Sequence, residues 1–221
     1  MVAKPNFFTK ILEVMVDDDV SLCLTPQGFN NVDAQSDIFN NLNLSFWEYM
    51  LPGCDALGYI ACTGTNFCIR CFPLADCGWF PTFTITEDYA LGMILKRKGY
   101  KAGYLNEYLA IGEAPEEIRN IFRQRSRWCK GQMQVLFSSY CPLFDTGLTL
   151  GMRLLYTSVT WCYITNTVAV PCAVFVPFIA LVFGVYPLVL NRDFALAATL
   201  YFTSSSLITS VSRLDCCSRR G

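Results

Sequence analysis

Four residues of this chain could share one chemical task. Gln124, Arg127, Trp128 and Gly131 recur at i, i+3, i+4 and i+7, the spacing of one helix face. That face offers an amide, a guanidinium and a flat ring. A guanidinium fork suits a diphosphate, and an indole suits the face of a sugar ring. Arg125 sits on the stripe of Ile118, Ile121, Phe122 and Cys129, where an apolar residue is expected. A second reading stays open: an amphipathic helix whose basic residues snorkel at a membrane surface. Upstream, Thr84-Ile85-Thr86-Glu87-Asp88 opens a helix predicted over 87–98, with Thr84 and Glu87 spaced as a capping box. Asp88 then falls in the first turn, where the helix dipole favours a carboxylate that could act as a general base. Thr63-Gly64-Thr65-Asn66 forms a small polar turn that suits close backbone approach by a ligand, or simply joins two strands.

Other candidates carry less. Asp17-Asp18-Asp19 contains an Asp-x-Asp, but it sits between a helix end and a strand start, where a solvated acidic turn is favoured over a metal site. Cys62, Cys68, Cys71 and Cys77 cluster among 12 cysteines. With a single CxxC and no histidine, reduced buried thiols are favoured over zinc. The absence of histidine also excludes Ser-His and Cys-His machinery, so proton transfer must rest on carboxylates, Lys, Tyr or Cys.

The elements that must position these residues follow from pattern and composition. Apolar residues are 53% of the 221 and charged residues 16%, with mean hydropathy +0.34. That is too apolar for an ordinary soluble domain. Helices are predicted over 4–15 and 46–50. Strands are predicted over 20–24, 57–62, 67–70 and 100–105, with turns at Thr25-Pro26-Gln27-Gly28-Phe29 and Gly53-Cys54-Asp55. No charge occurs over 154–191, about 38 residues, or over 194–212, about 19; a spanning helix needs about 20. The sequence predicts a compact α/β part followed by an interfacial helix and two transmembrane helices. Lys130 and Arg153 precede the first span, Arg213, Arg219 and Arg220 follow the second, and only Arg192 lies between. Positive charge therefore keeps both ends cytosolic. Met1-Val2-Ala3-Lys4-Pro5 carries no apolar signal segment. The Asn43-Leu44-Ser45 sequon is then unused. A net charge of −1 without a basic arm gives no case for nucleic acid.

Taken in order, Thr25-Pro26-Gln27, Gly64-Thr65-Asn66, Thr86-Glu87-Asp88, Gly112-Glu113-Ala114-Pro115-Glu116 and Gln124-Arg125-Ser126-Arg127-Trp128 ahead of membrane helices resemble the processive family 2 glycosyltransferases, most closely cellulose synthases and cellulose-synthase-like proteins. The resemblance runs from the first residues to about residue 211. It implies the later part of a GT-A-type catalytic domain over 1–145, an interfacial helix over 146–164, and transmembrane helices over 165–190 and 193–213. It implies Asp88 as the base on the acceptor hydroxyl, with Thr86 and Glu87 shaping the site. Gln124 and Arg127 would hold the donor diphosphate, with Arg125 counted beside them, Trp128 would stack on the terminal sugar, and Gly64 and Thr65 would lie near the acceptor. The implied reaction is inverting transfer of glucose from UDP-glucose to a β-1,4-glucan, in a multi-pass, plasma-membrane protein whose catalytic part is cytosolic. Chitin, hyaluronan, mannan and β-1,3-glucan synthesis, or a non-catalytic scaffold, are the alternatives. The implied partners are the UDP-sugar, the polysaccharide, the bilayer and a preceding part of the same synthase, with room for a homo-oligomer. The family's Asp-x-Asp, which holds Mg2+ or Mn2+, belongs ahead of a helix like 4–15. The expectation is an interior piece of a longer synthase, inactive alone, with the metal's ligands outside it.

Overall fold

A computed structural model of the chain describes residues 1–35, 37–184 and 199. They fall in two compact units, Met1–Ile164 and Thr165–Gly221. The first is α/β. Its elements are β1 (Val2–Ala3), α1 (Phe7–Val14), β2 (Val20–Leu24), β3 (Gln27–Phe29), a π-helical turn (Phe46–Met50) running into α2 (Leu51–Ala56), β4 (Phe67–Ile69), α3 (Cys71–Asp76), α4 (Glu87–Arg97), β5 (Lys101–Tyr104), β6 (Ala110–Gly112), α5 (Ile118–Leu136), a 3-10 turn (Pro142–Phe144) and the first part of α6 (Leu150–Phe183).

Two three-stranded sheets result, ordered β4-β2-β5 and β1-β6-β3. β2 pairs antiparallel with β4, placing Leu22 opposite Ile69 and Leu24 opposite Phe67, and parallel with β5. β6 pairs antiparallel with β1 and parallel with β3. Side chains alternate along β2, so it serves two cores at once. Leu22 and Leu24 pack with Trp47, Leu51, Leu91 and Leu95 from the π-helical turn, α2 and α4. Cys23 joins Phe7, Ile11 and Met15 of α1. A third cluster unites Tyr89, Ala90 and Met93 of α4 with Val135, Leu148 and Tyr156. Helix α4 is thus buried on more than one side, and its first turn is held by packing rather than by its weak amphipathicity.

The strand at 20–24 and the helices around 4–15 and 87–98 lie where the pattern puts them. Other expectations fail for identifiable reasons. Residues 57–62 form no strand: an added Cβ on Gly92 would lie 2.6 Å from the Cys62 backbone nitrogen, so this segment packs against α4 instead of joining a sheet. The turn expected at Gly53-Cys54-Asp55 is inside α2, whose first turn carries a proline. Gln27-Gly28-Phe29 is strand β3, paired with β6 rather than a turn.

Helix α6 runs unbroken from Leu150 to Phe183, across the boundary expected between an interfacial helix at 146–164 and a span from 165. Its 34 residues include an 18-residue window of mean hydropathy 2.1, none of it buried. By length and composition this helix can cross a membrane. Within the first unit its Tyr156 and Thr160 are buried. Described residues of the second unit, 165–184, are mostly exposed and include Pro171 and Pro177. The second span expected at 193–213 lies outside the described residues, Thr199 excepted.

Candidate active site

The segment ahead of α4 is stitched to α5. The Thr84 hydroxyl donates to the Gly131 carbonyl at 3.0 Å and accepts from the Thr86 N–H at 3.2 Å. The Ile85 N–H donates to Gln134 Oε1 at 3.0 Å. These bonds replace the expected capping box: the N-cap is Thr86, without a side-chain cap bond. Gly131 is required at the crossing, because an added Cβ would meet Thr86 Oγ1 at 2.5 Å and Thr86 Cβ at 2.9 Å. The face carrying Gln124, Arg127 and Trp128 therefore ends against the Thr86-Glu87-Asp88 turn.

Asp88, half-buried in the first turn of α4, is the centre of the site. Burial raises its carboxyl above the usual carboxylate range and neighbouring Glu87 adds to this, while the Tyr89 N–H and the Arg127 charge pull it down. Gly64 lies directly against it. An added Cβ there would overlap the Asp88 carboxylate, and its φ of +78° is one that side chains rarely adopt. The loop behind Gly64 wraps Cys62, whose thiol burial pushes up to about 12. The Thr63 hydroxyl in the same loop is buried without a hydrogen-bond partner.

The loop is clamped by the Thr25-Pro26-Gln27 segment. Gln27 Nε2 donates to Thr65 Oγ1 at 2.7 Å, the Thr25 N–H donates to the Asn66 carbonyl at 2.9 Å, and Asn66 Nδ2 donates to the Pro26 carbonyl at 3.1 Å. Asn66, at φ +53°, adopts the left-handed backbone that Asn tolerates.

On α5, Gln124 is half-buried, Arg127 is exposed, and Trp128 is 40% exposed. A half-exposed indole one turn from the Gly131–Thr86 crossing is free to meet a ligand. Arg125 is directed elsewhere: its guanidinium donates to the Phe39 and Asn40 carbonyls, tying α5 to that loop. The stripe of Ile118, Ile121, Phe122 and Cys129, on which Arg125 falls, packs only in part: Ile121 is buried and Cys129 half-buried. Ile118 and Phe122 are exposed, and the buried side of α5 is Ile121, Gly131, Gln132 and Val135. Sequence reasoning missed Thr84, Gln134 and Cys62 as site-forming residues. Gln134, at i+3 from Gly131, continues the motif's face and could have been found by extending the same spacing.

Among the described residues no group of three or more His, Cys, Asp or Glu could hold a metal ion. Asp17 accepts the Asp19 N–H, Asp18 sits 3.5 Å from Arg70, and Asp19 pairs with Lys101, which leaves a solvated turn. The described residues do not offer a ligand set that fits a divalent ion. All ten described cysteines are free thiols.

A half-buried carboxylate at a helix mouth, a glycine loop against it and a Gln–Arg–Trp face on the helix packed beside it make up the candidate site. Residues 2–204 match Glycosyl transferase family group 2, and the chain belongs to that family. It is 33% identical over 134 residues to a UDP-forming cellulose synthase catalytic subunit of Dictyostelium discoideum, a stretch covering 59% of this chain and 13% of that protein. It is 35% identical over 151 residues to the UDP-forming cellulose synthase 1 catalytic subunit of Komagataeibacter xylinus, covering 64% of this chain and 20% of the relative. A Pseudomonas fluorescens cellulose synthase catalytic subunit is 30% identical over 149 residues, covering 64% and 20%. The chain thus spans a fifth or less of these relatives' length.

Proposed function

We propose that this chain forms the acceptor side of a membrane-embedded synthase of GT-A type that transfers glucose from UDP-glucose to a growing β-1,4-glucan with inversion. The observation that carries the reading is the Asp88 carboxylate, held between Gly64 and the charge of Arg127 at the mouth of α4. In the step, the acceptor hydroxyl oxygen forms a bond to the anomeric carbon as the bond from that carbon to the UDP oxygen breaks. The hydroxyl proton passes to Asp88, and the electron pair leaves with UDP. A base whose pKa is lifted by burial holds the transferred proton better than an exposed carboxylate would. Arg127 lies where its charge acts on Asp88, and on this reading its exposed guanidinium also faces the leaving diphosphate across the anomeric carbon. The described residues offer no donor set for Mg2+ or Mn2+, and no part of this step is routed through one. Thr86 and Glu87 shape the turn, Gln124 lies beside the diphosphate, and Gly64 and Thr65 face the acceptor. Helix α6, long and apolar enough to cross a bilayer, anchors α4 through Tyr89, which donates to the Tyr156 carbonyl at 2.8 Å. The reading places the catalytic part in the cytosol beside a plasma membrane, with the glucan as second substrate, and has the chain work with further parts of the same synthase.

The test is incorporation of radiolabel from UDP-glucose into insoluble glucan by membranes carrying the full gene product. Label released by a β-1,4-glucanase is expected; label in a glucanase-resistant polymer, or none, would overturn the reading. Trp128→Ala sharpens it. A stacking contact of about 0.5–1.5 kcal/mol corresponds to roughly two- to tenfold in rate. Elongation of a supplied cello-oligosaccharide should fall by that amount while UDP affinity holds. Weaker UDP binding with unchanged elongation would remove the sugar-stacking role.

A further inference from the structure

The other end of α4 carries a second polar feature, unrelated to transfer. A cavity of about 330 Å³ opens there, lined by Lys96, Arg97, Lys101, Gly147, Thr149 and Met152 among others. Lys96 is only 7% exposed. Among the described residues its ammonium makes no hydrogen bond, and no carboxylate lies within ion-pair distance of it. Its nearest opposing charge, Asp55, spends one oxygen on the Tyr104 N–H at 3.0 Å. Burial lowers the Lys96 ammonium to about 8, so it remains a cation at neutral pH. An ammonium on a largely buried side chain, without a close counter-ion, makes the cavity it lines a favourable place for an anion.

The surroundings favour an anion. Arg97 stands 3.6 Å from Asp145 and over the Tyr140 ring, and Lys101 stands 2.5 Å from Asp19; both keep donors beyond those single pairings. Thr149 heads α6: its hydroxyl accepts the Met152 N–H at 3.4 Å and its carbonyl the Arg153 N–H at 2.9 Å. Thr149 and Met152 line the cavity, which sets the start of a long helix, with its positive partial charge, beside it. Leu143, Phe144, Leu150 and Leu154, next to this helix start in sequence, are apolar and exposed. Those side chains suit a lipid surface beside the cavity.

We infer that this cavity is an anion site that takes a phosphate group, with Lys96 as its central ligand and the head of α6 as its floor. The group could come from a lipid headgroup or from free phosphate, and the experiment separates the two. The full chain is purified in a neutral detergent and titrated, by phosphorus NMR, with dihexanoyl phosphatidic acid, inorganic phosphate and dihexanoyl phosphatidylcholine. Phosphatidic acid, inorganic phosphate or both should bind, and Lys96→Met should weaken that binding at least tenfold. Binding of phosphatidic acid alone would identify a headgroup site, and equal binding of inorganic phosphate a soluble-phosphate site. In parallel, acetylation of wild-type Lys96, followed by mass spectrometry, should slow severalfold when the bound probe is present while Lys4 is unaffected. That readout needs no variant and decides the matter if Lys96→Met fails to fold. No binding of either probe, phosphatidylcholine binding as well as they do, or an unprotected Lys96 would overturn the site.

Discussion

Asp88→Asn should lower glycosyl transfer by at least ~10²-fold, the scale of a lost general base, while leaving the fold intact. The amide has the carboxylate's shape and can still accept the Tyr89 N–H, so the first turn of α4 keeps its bond. Stability should not fall at neutral pH. Burial raises the folded-state pKa of Asp88 above the ordinary 3.8. Its contribution to stability is therefore full below the unfolded pKa and is lost as pH rises through the folded one. Above that window the wild type holds a penalised charge that Asn lacks, so the variant's Tm at pH 7 should equal or exceed the wild type's. Near-normal label incorporation by the variant at equal expression would end the assignment. A companion variant tests the coupling. Arg127 lowers the Asp88 pKa, so Arg127→Ala should move the acid limb of the kcat/KM profile to higher pH, and an unmoved limb would show that the two groups do not communicate.

Gly64→Ala should reduce transfer about 10- to 10²-fold, because the new methyl takes the space of the Asp88 carboxylate. The loop cannot easily retreat: Thr65 and Asn66 are fixed by Gln27, Thr25 and Pro26. The carboxylate must move instead, and a misplacement of about 1 Å can cost ~10²-fold. The positive φ adds roughly 1–2 kcal/mol of backbone strain. Gly78→Ala separates the two effects. Gly78 has φ +77° but nothing within 4 Å of an added Cβ. It should show the strain as a lowered Tm and leave the rate unchanged. Equal rates for wild type and Gly64→Ala, or an equal loss in Gly78→Ala, would refute the contact argument.

Several elements were legible because their signals are local. The alternation of Val20–Leu24, the acidic opening of α4, the 3.6-residue spacing on α5 and the uncharged length of α6 each arise within a few turns of chain. The capping box was not legible. Thr84 and Glu87 have the right spacing, but the Thr84 hydroxyl meets the Gly131 carbonyl, a partner on another helix, and the local alternative is not made. The stripe of Ile118, Ile121, Phe122 and Cys129 misled in part, for a related reason: only Ile121 of it is fully buried. Periodicity marks an apolar line on α5, yet the side that is buried is the one facing Thr84 and Thr86, chosen by a glycine and a glutamine rather than by the largest apolar residues.

The sequence by itself determined which groups are available: one carboxylate at a helix start, a glycine turn, and an amide, a guanidinium and an indole on one helix face. Those follow from residue type and helical spacing, which depend on neighbours within a turn or two. Only the tertiary structure decided that they meet. Gly92 lets the segment ending at Cys62 lie on α4, which carries Gly64 to the Asp88 carboxylate, and Gly131 lets α5 lie on Thr86, which brings the Arg127 charge to the same group. Burial raises the pKa of Asp88 and the Arg127 charge partly offsets it; both effects come from segments far apart in the chain and have no signature in the residues flanking the aspartate.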